Sequence, residues 1–99
     1  MTSATENQAD RACQLTRDLL GNALKVRAEN PEYAQTPEQS AMILSMELGR
    51  LATTLPDTEQ QQMVDGLKKA LNSLRLTDAE RSTILAQVAP AIWPGFKTK

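Results

Sequence analysis

Residues 36–56, Thr-Pro-Glu-Gln-Ser-Ala-Met-Ile-Leu-Ser-Met-Glu-Leu-Gly-Arg-Leu-Ala-Thr-Thr-Leu-Pro, are the stretch of sequence that decides the fold class. The stretch opens with a capping box, because Thr36 and Gln39 are spaced to satisfy each other's backbone N–H groups and proline occupies the first helical position. Apolar residues then recur at three- and four-residue spacing, which predicts an amphipathic helix. The predicted buried stripe consists of Leu44, Leu48, Leu51, Ala52 and Leu55, with Ala41 at its head. Pro56 ends the helix, since the residue before a proline is disfavoured in helical geometry.

Three further amphipathic helices are predicted around this one. A long helix over residues 5–29 stops where a proline follows. Asp57 or Thr58 is expected to cap a third helix, and a Thr77–Glu80 capping box opens a short fourth helix. The predicted inward-facing residues are Ala9, Ala12, Cys13, Leu19, Leu20, Ala23, Leu24 and Val26 in the first helix, Met63, Val64, Leu67, Ala70, Leu71 and Leu74 in the third, and Ile84, Leu85 and Val88 in the fourth.

These helices are predicted to form one all-α domain over residues 5–89. No stretch alternates apolar and polar residues as a strand requires, and most connecting segments are shorter than about eight residues. Short links place consecutive helices side by side, so we predict a small antiparallel helical bundle of about four helices. Residues 1–4 are expected to be disordered. Residues 90–99, which contain two of the three aromatic residues, are expected to form an extended C-terminal tail.

The composition limits the partners and cofactors of this chain. Twelve acidic and 11 basic residues give a net charge of −1, so nucleic-acid or membrane-surface binding is disfavoured. One cysteine and no histidine leave no cluster to hold zinc, haem or an iron–sulfur centre, and we expect no metal or cofactor. No apolar run approaches the roughly 20 residues of a membrane helix, and the first residues lack the features of a secretory signal. We therefore expect a cytoplasmic protein.

The side chains also argue against catalysis. Without histidine, neither a Ser–His nor a Cys–His nucleophile can be assembled, and no serine has a lysine three positions later. The four glycines are isolated, so no phosphate-binding loop is present. Asp57 with Glu59 and Asp78 with Glu80 each lie in the first turn of a predicted helix, where carboxylates complement the helix dipole. We expect a protein that is not an enzyme.

Residues outside the predicted stripe of the second helix suggest a binding surface. Met42 and Met46 form a flexible ridge one turn apart, with Ile43 beside it and Gly49 as a flat spot at its end. The ridge either contacts a partner or packs on the first helix, and the sequence leaves both interpretations open.

Two aromatic residues of the tail, Trp93 and Phe96, are a second candidate contact, because tryptophan often contributes strongly to binding. The expected fate of these side chains is still to dock back over the open end of the bundle, since they would otherwise be left in water. The leading hypothesis is a small non-enzymatic protein-interaction module, such as an adaptor, inhibitor or regulatory subunit, that binds a protein partner through its helical surfaces.

Two other functions stay open. Lys68, Asn72 and Arg75 share one face of the third helix and Arg81 begins the fourth, a placement suited to phosphates or an acidic partner. The tight link between these helices has the outline of a helix-turn-helix, which suggests a DNA-binding transcriptional regulator. The carboxylates at the start of the fourth helix oppose this, since that end should approach the base edges. The other alternative is a self-assembling homodimer with a structural role.

Overall fold

The computed structural model describes residues 8–96, and four α-helices account for most of them. The helices are α1 (Gln8–Glu29), α2 (Pro37–Ala52), α3 (Asp57–Ser73) and α4 (Asp78–Ile92), with a 3-10 turn at Pro31–Tyr33 between α1 and α2. No strand occurs within this range, and the predicted small all-α bundle is confirmed. The predicted disorder of residues 1–4 and the first three residues of the predicted first helix lie outside the described residues.

Capping boxes start α2 and α4, as the sequence predicts. The backbone N–H of Gln39 donates to Thr36 Oγ1 over 3.1 Å, and the N–H of Thr36 donates to Gln39 Oε1 over 2.9 Å. Thr77 and Glu80 make the same exchange over 3.1 and 3.0 Å. Each box satisfies two N–H groups near a helix start, where donors lack intrahelical partners.

The start of α3 differs from the prediction. Pro56 occupies the N-cap position, Asp57 is the first helical residue, and no side chain caps this helix. The backbone of Pro56 is extended (φ −68°, ψ 163°), and its carbonyl oxygen accepts from the N–H groups of Glu59 and Gln60, each over 3.0 Å. Because the proline ring already fixes φ near this value, the helix begins directly after it. The predicted cap at Asp57 or Thr58 is therefore wrong.

Non-consecutive helices make the most extensive contacts, since α1 packs on α3 and α2 packs on α4, whereas the short links predict consecutive helices as the main neighbours. In the second pair, Ser45 Oγ lies 3.5 Å from the carbonyl oxygen of Gln87, and Gly49 lies against Ala91 one turn further along. Residue numbers rise together along this contact, so α2 and α4 run in the same direction. The shared core consists of Ala12, Leu20, Ala41, Leu44, Leu48, Ala52, Met63, Val64, Leu67, Leu71, Ile84, Val88, Ala89 and Ile92.

Glycine lets α1 approach α3 closely. A Cβ atom built on Gly66 would overlap the carbonyl oxygen of Ala9, far inside van der Waals contact between carbon and oxygen. A Cβ atom on Gly49 would lie 3.2 Å from the carbonyl oxygen of Ala91, which a small shift relieves. The α1–α3 contact therefore requires glycine more strictly than the α2–α4 contact does.

Some residues are buried differently from the prediction. The sequence predicts Leu51 in the buried stripe of α2, but Leu51 is 41% exposed, because α2 turns Ala41, Leu44, Leu48 and Ala52 inward and leaves Leu51 at the edge. Thr16 is completely buried in α1, although it is not among the predicted inward-facing residues. Two neighbouring helices determine which residues of α1 are buried, because α1 packs mainly on α3 and also contacts α2.

Helix α4 continues beyond the predicted boundary at residue 89 and ends at Ile92. Pro90 lacks the N–H that would bond to the carbonyl of Ala86, but Ala86 is exposed, so water can bond to that carbonyl instead. The continuation also places Ile92 in the core. The C-terminal tail therefore begins at Trp93 rather than at residue 90.

The tail folds back onto the bundle instead of running extended. Trp93 Nε1 donates to Asp57 Oδ1 over 2.6 Å, and the N–H of Phe96 closes a turn on the carbonyl oxygen of Trp93 over 2.9 Å. Both aromatic side chains pack, partly buried, against the core. Lys68 Nζ lies 5.7 Å from the centre of the Phe96 ring, which is a cation–π distance. Residues 97–99 lie outside the described residues.

Candidate protein-interaction surface

Large apolar side chains are exposed on α2 and on the turn before it. Within residues 8–96 they are Tyr33 (72% exposed), Met42 (57%), Ile43 (38%), Met46 (67%) and Leu51 (41%). Four of these belong to α2, whose opposite side supplies fully buried core residues. Helix α2 is therefore apolar on two sides, and only one of them packs the bundle.

The two methionines of α2 are exposed rather than packed on α1. Met42 and Met46 lie one helical turn apart, so their side chains are neighbours on the outer side of the helix. Their exposure shows that they do not pack on α1, which was one of the two interpretations that the sequence leaves open. Unbranched, polarisable methionine side chains can adapt their shape to a contacting surface.

A groove between α1 and α2 extends this exposed surface. The groove has a volume of about 150 Å³, and its apolar lining includes Leu19, Ala23, Val26, Tyr33 and Ile43. A shallower depression shares Tyr33 and Ile43 with the groove and reaches Met42. The depressions and the methionines thus form one surface. We call the surface made by Tyr33, Met42, Ile43, Met46 and the groove the α1–α2 apolar face.

Tyr33 is held beside the groove by the 3-10 turn. Its N–H donates to the carbonyl oxygen of Asn30 over 2.9 Å, and the N–H of Ala34 donates to that of Pro31 over 3.2 Å. Tyr33 is not among the predicted binding residues. No local signal in the sequence marks it, because its place beside the groove depends on how α1 and α2 meet.

Three residues of the predicted binding set lie apart from the α1–α2 apolar face. The backbone of Gly49 faces α4 at Ala91, so this glycine serves helix packing. Trp93 and Phe96 are partly buried against the core, and Trp93 is bonded to the start of α3. The structure brings only Met42, Ile43 and Met46 of the predicted set together.

A cleft of about 320 Å³ between α3 and α4 contains three of the four residues predicted to contact phosphate, namely Lys68, Asn72 and Arg81. Asp78 also lines the cleft, and its carboxylate is paired with the guanidinium of Arg81. That guanidinium also donates to the carbonyl oxygen of Leu76 over 3.3 Å. Arg75 is exposed in the link between α3 and α4, outside the lining of the cleft. The charge of Arg81 is thus largely neutralised within the cleft itself.

An ion pair connects α1 to α4 at the end of the bundle. Arg27 Nη1 lies 2.7 Å from Glu80 Oε2, and the Glu80 side chain is mostly buried. The backbone hydrogen bond from Thr77 and, after it, the hydrogen bond from Arg27 hold the pKa of Glu80 below its usual value. This pair stabilises the fold and does not belong to the α1–α2 apolar face.

The α1–α2 apolar face offers hydrocarbon, thioether and one phenol, and the amides of Asn22 and Gln35 and the hydroxyl of Ser40 also line its groove. Among residues 8–96, no three His, Cys, Asp or Glu side chains are grouped so that they could hold a metal ion. None of the described helices combines the length and the apolar character needed to cross a bilayer. Cys13 is half-buried in α1 and is not in a disulfide.

No protein-family model matches the sequence, and no curated protein or solved structure matches it significantly.

Proposed function

We propose that this chain is a small non-enzymatic protein-interaction module, acting as an adaptor, inhibitor or regulatory subunit, that binds a protein partner through the α1–α2 apolar face. The exposure of Met42 and Met46, at 57% and 67%, carries the proposal. These side chains contribute little to the stability of the bundle, because the opposite side of α2 already supplies its buried residues. Covering them would remove apolar surface from water, at about 25 cal/mol per Å².

The shape of the face supports contact with a protein partner. The α1–α2 groove gives a partner side chain a concave place to insert, and the methionines beside it form a convex ridge. An apolar centre with a polar surround is the usual anatomy of a protein–protein interface. A binding role also agrees with a sequence that contains no histidine to act as a general base.

Substitution of Met46 tests this function. We expect Met46→Asp to abolish capture of the partner from a lysate of the source organism, because a carboxylate would be buried among apolar groups. Met46→Leu keeps the apolar contact and should retain capture. Asn72→Asp places the same new charge on α3, away from the face, and should also retain it.

Circular dichroism of each variant separates binding from folding. Met46 is mostly exposed, so Met46→Asp should keep the helical spectrum and the thermal transition of the unsubstituted chain. Loss of the helical spectrum would contradict the assignment of Met46 to the exposed side. Unchanged capture by a folded Met46→Asp variant would contradict the proposed function.

A further inference from the structure

The segment that builds most of the α1–α2 apolar face is strongly acidic. Residues 29–47 contain four glutamates and neither lysine nor arginine, although the whole chain has a net charge of only −1. The glutamates are Glu29, Glu32, Glu38 and Glu47. The face therefore lies in a local negative field that the overall charge of the protein conceals.

Three of these carboxylates border the exposed apolar side chains directly. Glu32 lines the same depression as Met42 and Ile43. Glu38 precedes Met42 by four residues, and Glu47 follows Ile43 by four, so each lies one helical turn from an apolar residue of the face. The apolar centre thus has acidic groups at both of its ends along α2.

Basic residues flank this acidic segment on both sides: Lys25 and Arg27 precede it in α1, and Arg27 is paired with Glu80. Arg50 is the nearest basic residue that follows the segment in α2, and its guanidinium is held 2.9 Å from Glu47. Within residues 8–96, the border carboxylates Glu32 and Glu38 make no ion pair. Two carboxylates of the border are therefore left for a partner to pair with.

We propose that the segment covering the α1–α2 apolar face is a basic amphipathic helix of the partner, with lysine or arginine flanking its apolar stripe. This inference rests on the proposed function and adds the chemistry of the partner to it. A helix laid along a groove anchors through apolar residues one turn apart, which matches the spacing of Met42 and Met46. Flanking cations would meet the glutamates, speed association and discriminate against acidic surfaces.

The acidic border also argues against a second copy of this chain as the occupant. A two-fold dimer would place the same face on both sides of the interface. Glu32, Glu38 and Glu47 of the two copies would then converge around one apolar centre, and like charges brought together destabilise an interface. Nucleic acid and anionic membrane surfaces are repelled for the same reason.

Two synthetic helical peptides of about 18 residues test the inference. Both carry the same leucine stripe, and their polar positions are lysine in one peptide and glutamate in the other. Calorimetric titration into the full chain should show the lysine peptide binding about tenfold more tightly at low salt. This ratio should shrink as salt is added, because the charges lie at a solvent-exposed rim. The methionine methyl signals in NMR spectra locate the bound peptide.

Variants of the border and of the centre separate charge from apolar contact. Glu32→Gln with Glu38→Gln should reduce the preference for the lysine peptide, and Glu32→Lys with Glu38→Lys should reverse it. Met46→Asp should abolish binding of both peptides. The Gln variant adds no charge at the start of α2, so it keeps the test valid if the Lys variant folds poorly.

Several outcomes would overturn the basic helix as occupant: equal affinity for the two peptides, no binding of either, or binding that Met46→Asp leaves unchanged. Self-association that Met46→Asp abolishes, measured by sedimentation without peptide, would assign the face to a second copy instead. A captured partner that needs Met46 but contacts it through an acidic or neutral surface would leave the proposed function standing and remove this inference alone.

Discussion

Helices α2 and α3 have equivalent inner sides and contrasting outer sides. Each supplies a fully buried apolar stripe, with Leu44 and Leu48 in α2 and Leu67 and Leu71 in α3. The outer side of α3 carries exposed polar and charged residues, namely Gln62, Asp65, Lys68, Lys69 and Asn72. The outer side of α2 instead exposes methionine and isoleucine. Since α3 shows that a polar outer side is compatible with this bundle, folding alone does not explain the apolar residues of α2.

The largest expected effect on stability comes from truncating a side chain on the inner side of α2. Leu48→Ala should lower the free energy of unfolding by about 2–5 kcal/mol, because a completely buried leucine leaves a cavity. Met46→Ala on the outer side should change it by less than about 0.5 kcal/mol. Denaturation by urea measures both. A similar loss of unfolding free energy in both variants would contradict the comparison, because the outer side of α2 would then contribute to the core as the inner side does.

Gly66 tests the inner side of α3. Gly66→Ala should destabilise the chain by about 1–3 kcal/mol, because the added methyl would overlap the backbone of Ala9. Gly21→Ala is the matched control: nothing lies within 4 Å of its Cβ position, so the better helix former should stabilise the chain by about 0.5–1 kcal/mol. Gly49→Ala should fall between them. Thermal denaturation of the three variants gives the order, and a stable Gly66→Ala variant would show that α1 and α3 are further apart.

Glu80 gives the stability of the bundle a pH dependence. Its pKa is lower in the folded chain than its ordinary value of 4.5. The resulting stabilisation is fully present above pH 4.5 and is lost as the pH falls through the lower, folded pKa. Glu80→Gln keeps a capping box but not the charge, so it should cost about 1 kcal/mol at neutral pH and nothing in strong acid.

The capping box of α2 is the control for this titration, because it uses Gln39 and has no ionisable group. Gln39→Glu should introduce an acid-dependent stabilisation at that helix start. Urea denaturation between pH 2 and 7 is the measurement. A Glu80→Gln difference that persists unchanged into acid would contradict the role of the Glu80 charge.

The buried hydroxyl of Thr16 should contribute nothing favourable to the stability of the chain. Within the described part of the chain, its Oγ1 atom is buried without a hydrogen-bond partner. Thr16→Val replaces the hydroxyl by a methyl of similar size and should stabilise the chain by about 1 kcal/mol. Thr16→Ser keeps the hydroxyl, removes the methyl and should destabilise it. A loss of stability in the valine variant would indicate that the hydroxyl has a partner, such as a bound water.

The smallest effect is expected on the outer side of α3. The α3–α4 cleft contains Lys68, while Asp78 neutralises Arg81, so this surface should not hold a polyanion. Micromolar protein should show no binding to duplex DNA at low salt. Binding that falls steeply with added salt and disappears in Lys68→Gln would move the functional surface from α2 to α3.

Local signals in the sequence predict much of this fold. The Thr36–Gln39 and Thr77–Glu80 boxes form as predicted, because a cap needs only residues within one helical turn. The burial of Leu51 and Thr16 could not be predicted in this way. A helical wheel gives the width of an apolar arc, but its centre depends on which helices pack against it.

The candidate site was likewise predictable only where the spacing of residues along one helix determines it. The positions of Met42 and Met46 on α2 follow from helical spacing, and so does the existence of a second apolar side. The direction in which Gly49 points depends on the packing of α4, which the spacing does not contain. Tyr33 and the groove arise only where α1, its following turn and α2 meet. Their contribution to the site therefore needed the tertiary structure.

The interleaved pairing of the helices, α1 with α3 and α2 with α4, constrains how the chain can be made and divided. During synthesis, α1 cannot bury its inner side until α3 has left the ribosome, and α2 must wait for α4. A cleavage between Ala52 and Asp57 would separate every helix from its main packing partner. Neither fragment should fold alone, but the two fragments mixed together should reassemble the bundle.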